Sequence, residues 1–431
     1  MEISILLVIF LISGTLATSL QSDSGLQDEG KNRETLLDSS DFEPAIDGND
    51  YLTIEESVFS ATNYLKKKWI EDGYPGLVKP FDSGNQLSKN SLRSCEQAWS
   101  VGESDNFTTT SGNIFAEVKK TSTNSAIFVE EGFVVSSTVL NDIAATWDSI
   151  IFPTNVDYFG AVPDLDNNCQ VEILLYSIDG SGGTGGYFQP GISSIRESLF
   201  IDIDDLEHRN SILSHELERL IHNAWDPYEY IWVDEGAAAM AEFLCFNANE
   251  DLDLDANSWT SNTSKSLRWW NDRGSDFGSG FLFMLFLEDK LGGPQAIRSL
   301  VSDSALGGKG VENLARSPGS GSTPIGITMG DIFANFSAAV TLDSPQGAFG
   351  FSNLDLKEDC SEGGICKASP AGTNQQWSQV WQTTDVEMEG WGMRSFRFSQ
   401  GNGDPLSIMV QPDSAGFDGS LLVKEAVSGS W

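Results

Sequence analysis

The chain has 431 residues, 40% of them apolar, enough for one large domain with a real core and a smaller second one. It carries 63 acidic against 25 basic residues, a formal charge of -38. That balance excludes nucleic acid as a partner, because phosphate binding needs a basic surface. The acid is spread along the chain and reads as a strongly hydrated surface, with a cationic ligand as the weaker alternative.

Ile3 to Leu16 form one apolar run, followed by the small residues Ala17, Thr18 and Ser19. The run is short for a bilayer span and suits the hydrophobic region of a secretory leader, although no Lys or Arg precedes it. Residues 1–19 are therefore expected to be a signal peptide and the protein to be secreted or extracellular. An uncleaved N-terminal anchor is the other use of the run. No later segment is long and apolar enough to cross a membrane. Residues 20–54 are polar, acidic and poor in aromatics, an acidic linker or pro-segment.

Glu55 to Trp69 has helical spacing, with Val58, Tyr64 and Leu65 near one face. Ile114–Val118 and Ala126–Val129 are expected as consecutive strands. Ser136 opens a helix carrying Val139, Leu140, Ile143, Trp147 and Ile150, which Pro153 should end. The acidic cluster Asp164-Leu165-Asp166-Asn167-Asn168 has the look of a calcium loop but lacks the closing Glu of an EF-hand, so a turn cap before the strand Val171–Leu175 is preferred. Gly180 to Gly186 is glycine-rich without the Lys-Ser/Thr of a phosphate cradle. Another strand covers Ser198–Ile203, and helices follow over Phe281–Leu291, Pro294–Ser302 and Thr328–Leu342.

Beyond about Ser344 the texture changes to short alternating segments, Ser395–Phe398, Leu406–Val410 and Leu421–Val423. They point to a β-sandwich over 345–431, with the pattern still running at Trp431 as in a truncated domain. Of the five cysteines, Cys360 and Cys366 bracket a short flexible loop and suit a local disulfide. Cys95 with Cys169 is the remaining pairing, and Cys245 lies in an apolar run as a buried thiol. Asn106, Asn262 and Asn335 begin N-x-S/T sequons.

The chemistry concentrates in Ser214-His215-Glu216-Leu217-Glu218-Arg219-Leu220-Ile221-His222 and, shortly after, Trp232-Val233-Asp234-Glu235-Gly236. In an H-E-x-x-H helix two histidines one turn apart clasp zinc, and the intervening Glu acts as general base on the bound water. Here the second histidine position holds Arg219. Helical steps of three and four put His215, Arg219 and His222 on one face, with Glu216 about 100° round from His215. A guanidinium stays protonated and is no metal ligand. Two substitutes for the missing imidazole exist in a chain with three histidines: His222, two turns on, and His208, just before the helix. The structural alternative is an ion pair between Arg219 and Glu235 or Glu216, holding the two helices together where zinc would.

With Asp164–Asn168 before a strand, Gly186-Tyr187-Phe188 and Phe277-Gly278-Ser279-Gly280-Phe281, these motifs resemble a gluzincin-type zinc metallopeptidase of the hyicolysin-like secreted group, over roughly Ser125 to Leu342. The resemblance implies zinc as cofactor, His215 and Glu235 as ligands, Glu216 as general base, and a peptide or protein substrate. Arg219 and Phe277, where similar proteins often carry Tyr, are departures. Glu242, seven residues after Glu235, is placed to orient His215 from behind. The expected architecture is α+β: a zincin-like metallopeptidase domain over 55–344 and the β-rich accessory domain. The expected function is that of a metallopeptidase-family protein with impaired catalysis. An active zinc endopeptidase using another ligand such as His222, and a non-enzymatic adhesive module, are the alternatives.

Overall fold

The structure is a computed structural model that describes residues 3–11, 62, 65, 66, 68, 86–87, 97–180, 183–190, 196–247, 250–317, 325–344, 347–361, 363–368, 375–376, 388–399 and 417–425. In chain order the elements used below are strands β1 (Ile3–Leu11), β2 (Ser104–Thr109), β3 (Gly112–Thr121) and β4 (Ser125–Glu130), helices α1 (Ser137–Thr146) and α2 (Phe152–Tyr158), and strands β5 (Val171–Tyr176), β6 (Gly186–Phe188) and β7 (Ser198–Asp202). Helices α3 (Arg209–Trp225), α4 (Ile231–Phe246), α5 (Glu250–Thr260), α6 (Gly274–Leu291), α7 (Pro294–Val301), α8 (Gly308–Arg316) and α9 (Met329–Leu342) follow. The strands β8 (Gln375–Gln376), β9 (Met393–Ser399) and β10 (Phe417–Glu425) come last. Helices and a mixed sheet make the α+β class expected from the sequence.

The chain forms two compact units, one of residues 50–254 and 280–323, the other of residues 1–49, 255–279 and 324–431. In the first, a six-stranded sheet runs in the order β2-β3-β4-β5-β7-β6. The hairpin β2–β3 and the pair β3–β4 are antiparallel; β4, β5 and β7 are mutually parallel; β6 returns antiparallel along the edge. Every residue of β5 and β7 is buried, which explains their continuous apolar reading rather than alternation. Phe107, Val118, Phe128, Leu174, Tyr187 and Phe200 pack into one core cluster, to which Leu65 also belongs.

The crossover from β4 to β5 departs from expectation at Pro153. Ser136 caps α1 as anticipated, its Oγ accepting from the Val139 N–H at 3.3 Å. Pro153 does not end the helical run. A π-helical turn over Trp147–Ile151 precedes it, and Pro153 sits in the first turn of α2. Proline has no N–H to donate and tolerates that position, so the extra residue of the π turn lets the chain restart rather than stop.

The second unit holds α9 and a ring system in which Phe336 stacks on Trp259 with centroids 5.4 Å apart and Phe333 meets Trp391 edge-on at 5.6 Å. Its described strands form one sheet in the order β8-β9-β1-β10, not the two packed sheets of a β-sandwich. Alternating segments are compatible with either, because the pattern reports a face and not how many sheets there are. β1 pairs antiparallel with both β9 and β10, so Ile3–Leu11, part of the run read as a secretory leader, is a strand here. A short apolar run carries no periodicity that separates a leader from a strand. The expected strand Leu406–Val410 lies outside the described residues. Cys360 and Cys366 are joined, Cys245 is free, and Cys169 is disulfide-bonded, its expected partner Cys95 lying outside the described residues. Among the described residues no helix is long and apolar enough to cross a membrane.

Candidate active site

Helix α3 lies against β6 and β7 and pairs with α4. Asp226 and Pro227 stop it, since proline cannot continue the ladder and disfavours helix in the residue before it. From Ile212 to His222 every residue of α3 is buried, including His215, Glu216, Glu218, Arg219 and His222. Buried charge is costly unless each group finds a partner, so the arrangement of these side chains is a charge-pairing problem.

Glycine sets the spacing. A Cβ on Gly186 of β6 would meet the Cγ2 of Ile212 at 2.6 Å and the Phe200 carbonyl oxygen at 2.7 Å, so only glycine lets the edge strand approach α3 this closely. On α4, Asp234 and Glu235 fall in the first turns and are fully or almost fully buried, where the helix N-terminus favours negative charge.

The described geometry brings the expected residues together. His215 Nδ1 lies 2.8 Å from Glu242 Oε1, and its Nε2 lies 3.2 Å from Glu235 Oε2. Burial alone would lower the His215 pKa, but the two carboxylates outweigh it and hold it well above the usual value. The ring hydrogen-bonds Glu242 through Nδ1, and its Nε2 faces Glu235 as a charge contact. Arg219 extends to α4, with Nη1 2.6 Å from Glu235 Oε1 and 3.3 Å from Asp234 Oδ2. The contact to Glu235 is one of the two ion pairs, with Glu235 or Glu216, anticipated from the sequence. Although burial opposes ionisation of Glu235, the charges of Arg219 and His215 hold its carboxyl below the ordinary range.

Glu216 points elsewhere. Its Oε2 accepts from the Thr62 hydroxyl at 2.7 Å and from the Phe188 backbone N–H at 2.8 Å. Its Oε1 is buried without a hydrogen-bond partner. His222 turns away from His215: its Nδ1 lies 3.1 Å from Glu218 Oε1 and 3.5 Å from Asp234 Oδ1. Burial lowers its pKa less than Glu218 and Asp234 raise it, and the result is about 8. His208 is exposed at the start of α3, 3.9 Å from Asp251. In the other unit, Phe277 packs edge-on against Trp270 at 4.8 Å.

Sequence reasoning passed over Thr62, Lys66, Glu218 and Asp234. Lys66 ion-pairs with Asp234 and also donates to the Glu229 carbonyl oxygen at 3.2 Å. Glu218 and His222 were findable, since a carboxylate four residues before a histidine shares its helix face. Asp234 adjoins Glu235 in the motif itself. Lys66 and Thr62 meet partners more than 120 residues away and leave no local signal.

Over 271 residues, 55% of this chain, the sequence is 24% identical to the neutral metalloprotease ShpI of Staphylococcus hyicus. The chain is a distant relative of a metalloprotease. The matched stretch spans 61% of that protein's length. No family model matches the chain. A metalloprotease relative implies a metal, usually zinc. The donor set at His215, Arg219 and Glu235 does not fit one. The middle position has no lone pair to give, its Nη1 already holds one Glu235 oxygen, and the other oxygen faces His215. Glu218, His222 and Asp234 bring ligand atoms within 4.8 Å of one another, but Asp234 is already met by the cations Lys66 and Arg219.

Proposed function

We propose that this is a secreted zincin-type metallopeptidase-family protein whose zinc has been replaced by an ion-pair lattice, leaving a cleft that binds peptide or protein ligands without cutting them. The observation that carries the reading is the contact between Arg219 Nη1 and Glu235 Oε1, which puts a permanent positive charge where the second imidazole belongs. His215 lies between Glu235 and Glu242 in the same charge network. Glu216, the expected general base, has one oxygen held by Thr62 and Phe188. The zincin fold, the hyicolysin-like grouping and export from the cell belong to the same reading. The order of motifs and the distant metalloprotease similarity support them.

The test is zinc content and casein hydrolysis of the natural protein and of Arg219→His. Stoichiometric zinc and hydrolysis in the natural protein would overturn the proposal. Zinc and activity that arise only in Arg219→His would establish it. Zinc in the variant without hydrolysis would point to a further lesion such as Phe277.

A second reading keeps hydrolysis and builds the metal shell from His222. The proximity of Glu218, His222 and Asp234 favours it. It requires His222→Ala to abolish zinc binding and Arg219→His to leave it unchanged.

A further inference from the structure

The loop before β5 and the residue before β7 meet in an acidic cluster outside the motif helix. Asp164, Asp166 and Glu197 each bring a carboxylate oxygen within 4.8 Å of the others. Asp164 is 0% and Glu197 1% exposed, whereas Asp166 is half-buried. Glu197 uses one oxygen to accept the Leu165 N–H. Its other oxygen, Oε2, is buried with no hydrogen-bond partner. The loop is ordered from within: Asp164 Oδ1 accepts from the Cys169 N–H at 3.2 Å, and Asp166 accepts from the Asn168 N–H at 3.1 Å.

The charge of Arg196 reaches Asp166, but its hydrogen bonds go to other acids. Arg196 grips Glu172 through Nε at 2.6 Å and Nη2 at 2.8 Å, and reaches Asp105 at 3.1 Å. Burial, followed by the charges of Asp166, Glu172 and Asp164, pushes the Glu197 carboxyl up to about 9. Burial likewise leads in raising Asp166, to about 6. Ionising Glu197 and Asp166 together without a cation is therefore costly.

We propose that Asp164, Asp166 and Glu197 form a calcium site that staples the loop before β5 to the start of β7. The donors are oxygens, with neither imidazole nor thiolate among them, which selects a hard cation over zinc. A cleft lined by Trp99, Glu103, Asp166 and Asn168 opens beside the cluster, giving entry and room for the waters that complete calcium's six to eight ligands. The Asp-x-Asp-x-Asn spacing resembled a calcium loop, but its closing acid was missing. The fold supplies that acid from Glu197, which accepts the N–H of a loop residue 32 positions earlier in the chain. Calcium is preferred to magnesium because magnesium demands near-ideal octahedral geometry, which this irregular, partly buried set does not offer.

The site is tested on the full protein, stripped with EDTA and titrated with Ca2+ or Mg2+ by calorimetry and thermal unfolding. One Ca2+ per chain is expected, with Tm raised by about 5 °C at a hundredfold excess over Kd and a much smaller response to Mg2+. Glu197→Gln and Asp166→Asn should each weaken Ca2+ binding at least about tenfold. Without calcium, Glu197→Gln should be about as stable as the natural protein, because the amide keeps the shape of the side chain and can still accept the Leu165 N–H. No saturable Ca2+ binding, or unchanged affinity in both variants, would overturn the site. Should Glu197→Gln fail to fold, Asp166→Asn decides alone, since its side chain is half-exposed and its loss is tolerable.

Discussion

Arg219 on α3 and Glu235 on α4 are joined by a 2.6 Å ion pair whose members are 1% and 0% exposed. Removing one partner of such a pair strands the other charge in a dry interior. Arg219→Ala should therefore destabilise the protein by about 3–5 kcal/mol. The double change Arg219→Met with Glu235→Leu should recover much of that loss, because an apolar pair needs no desolvation. Denaturant unfolding of both variants measures this. A cost for Arg219→Ala within about 0.5 kcal/mol, the level of a surface change, would show that the pair does not join the two helices.

The pH dependence of stability has a definite sign at His222. Its folded pKa, about 8, lies above the unfolded value near 6.5, since Glu218 and Asp234 more than offset burial. Its contribution is fully present below pH 6.5 and is lost as pH rises through 8. Within that window stability should fall with a slope of up to about 1.4 kcal/mol per pH unit from this group. His222→Gln should remove that component of the slope. A variant with an unchanged profile between pH 6.5 and 8 would assign the dependence to another group, such as Glu229, which burial raises to about 7.

How far the sequence revealed this site depended on where partners lie along the chain. His215 and Arg219 were legible as a shared helix face because spacing fixes it within a few residues, while Glu216 and Glu235 came from the motifs. Arg219 was expected to pair with Glu235 or Glu216, and the charge rule alone could not choose between them. Lys66, Thr62 and Glu197 were not legible, because each reaches its partner through the tertiary fold and no local pattern encodes it. The C-terminal strands show the other limit. Alternation correctly marked Ser395–Phe398 and Leu421–Val423 as strands within β9 and β10, yet said nothing of a single sheet built around Ile3–Leu11.

Glu242 acts on His215 from the side opposite Glu235. The carboxylate 2.8 Å from Nδ1 is one of two that raise the pKa of the ring. Glu242→Gln removes its charge but keeps its shape. The pKa of His215, followed by NMR of its ring protons, should drop, while the fold and the Arg219–Glu235 pair persist. An unmoved titration would mean that Glu235 alone sets the protonation of His215 and that Glu242 has no hold on it.

The approach of α4 to α6 rests on a pair of glycines. A Cβ built on Gly236 would stand 2.7 Å from the carbonyl oxygen of Gly280 and 2.8 Å from its carbonyl carbon. These are backbone atoms, so no side chain can swing aside to make room. Gly236→Ala adds helix propensity worth up to about 1 kcal/mol, but it must push the helices apart. The neighbouring residues Trp232 and Phe283 already meet edge-on with centroids 5.8 Å apart, leaving little slack. Overpacking of this kind costs about 1–3 kcal/mol, so the variant should be net destabilised despite its better propensity. Because Gly236 follows Glu235, the displacement should also lengthen the Arg219–Glu235 contact and make Arg219→Ala less costly in the Gly236→Ala background than alone. A double-mutant cycle reads that difference. Strict additivity would mean that α4 shifts without moving Glu235 relative to α3.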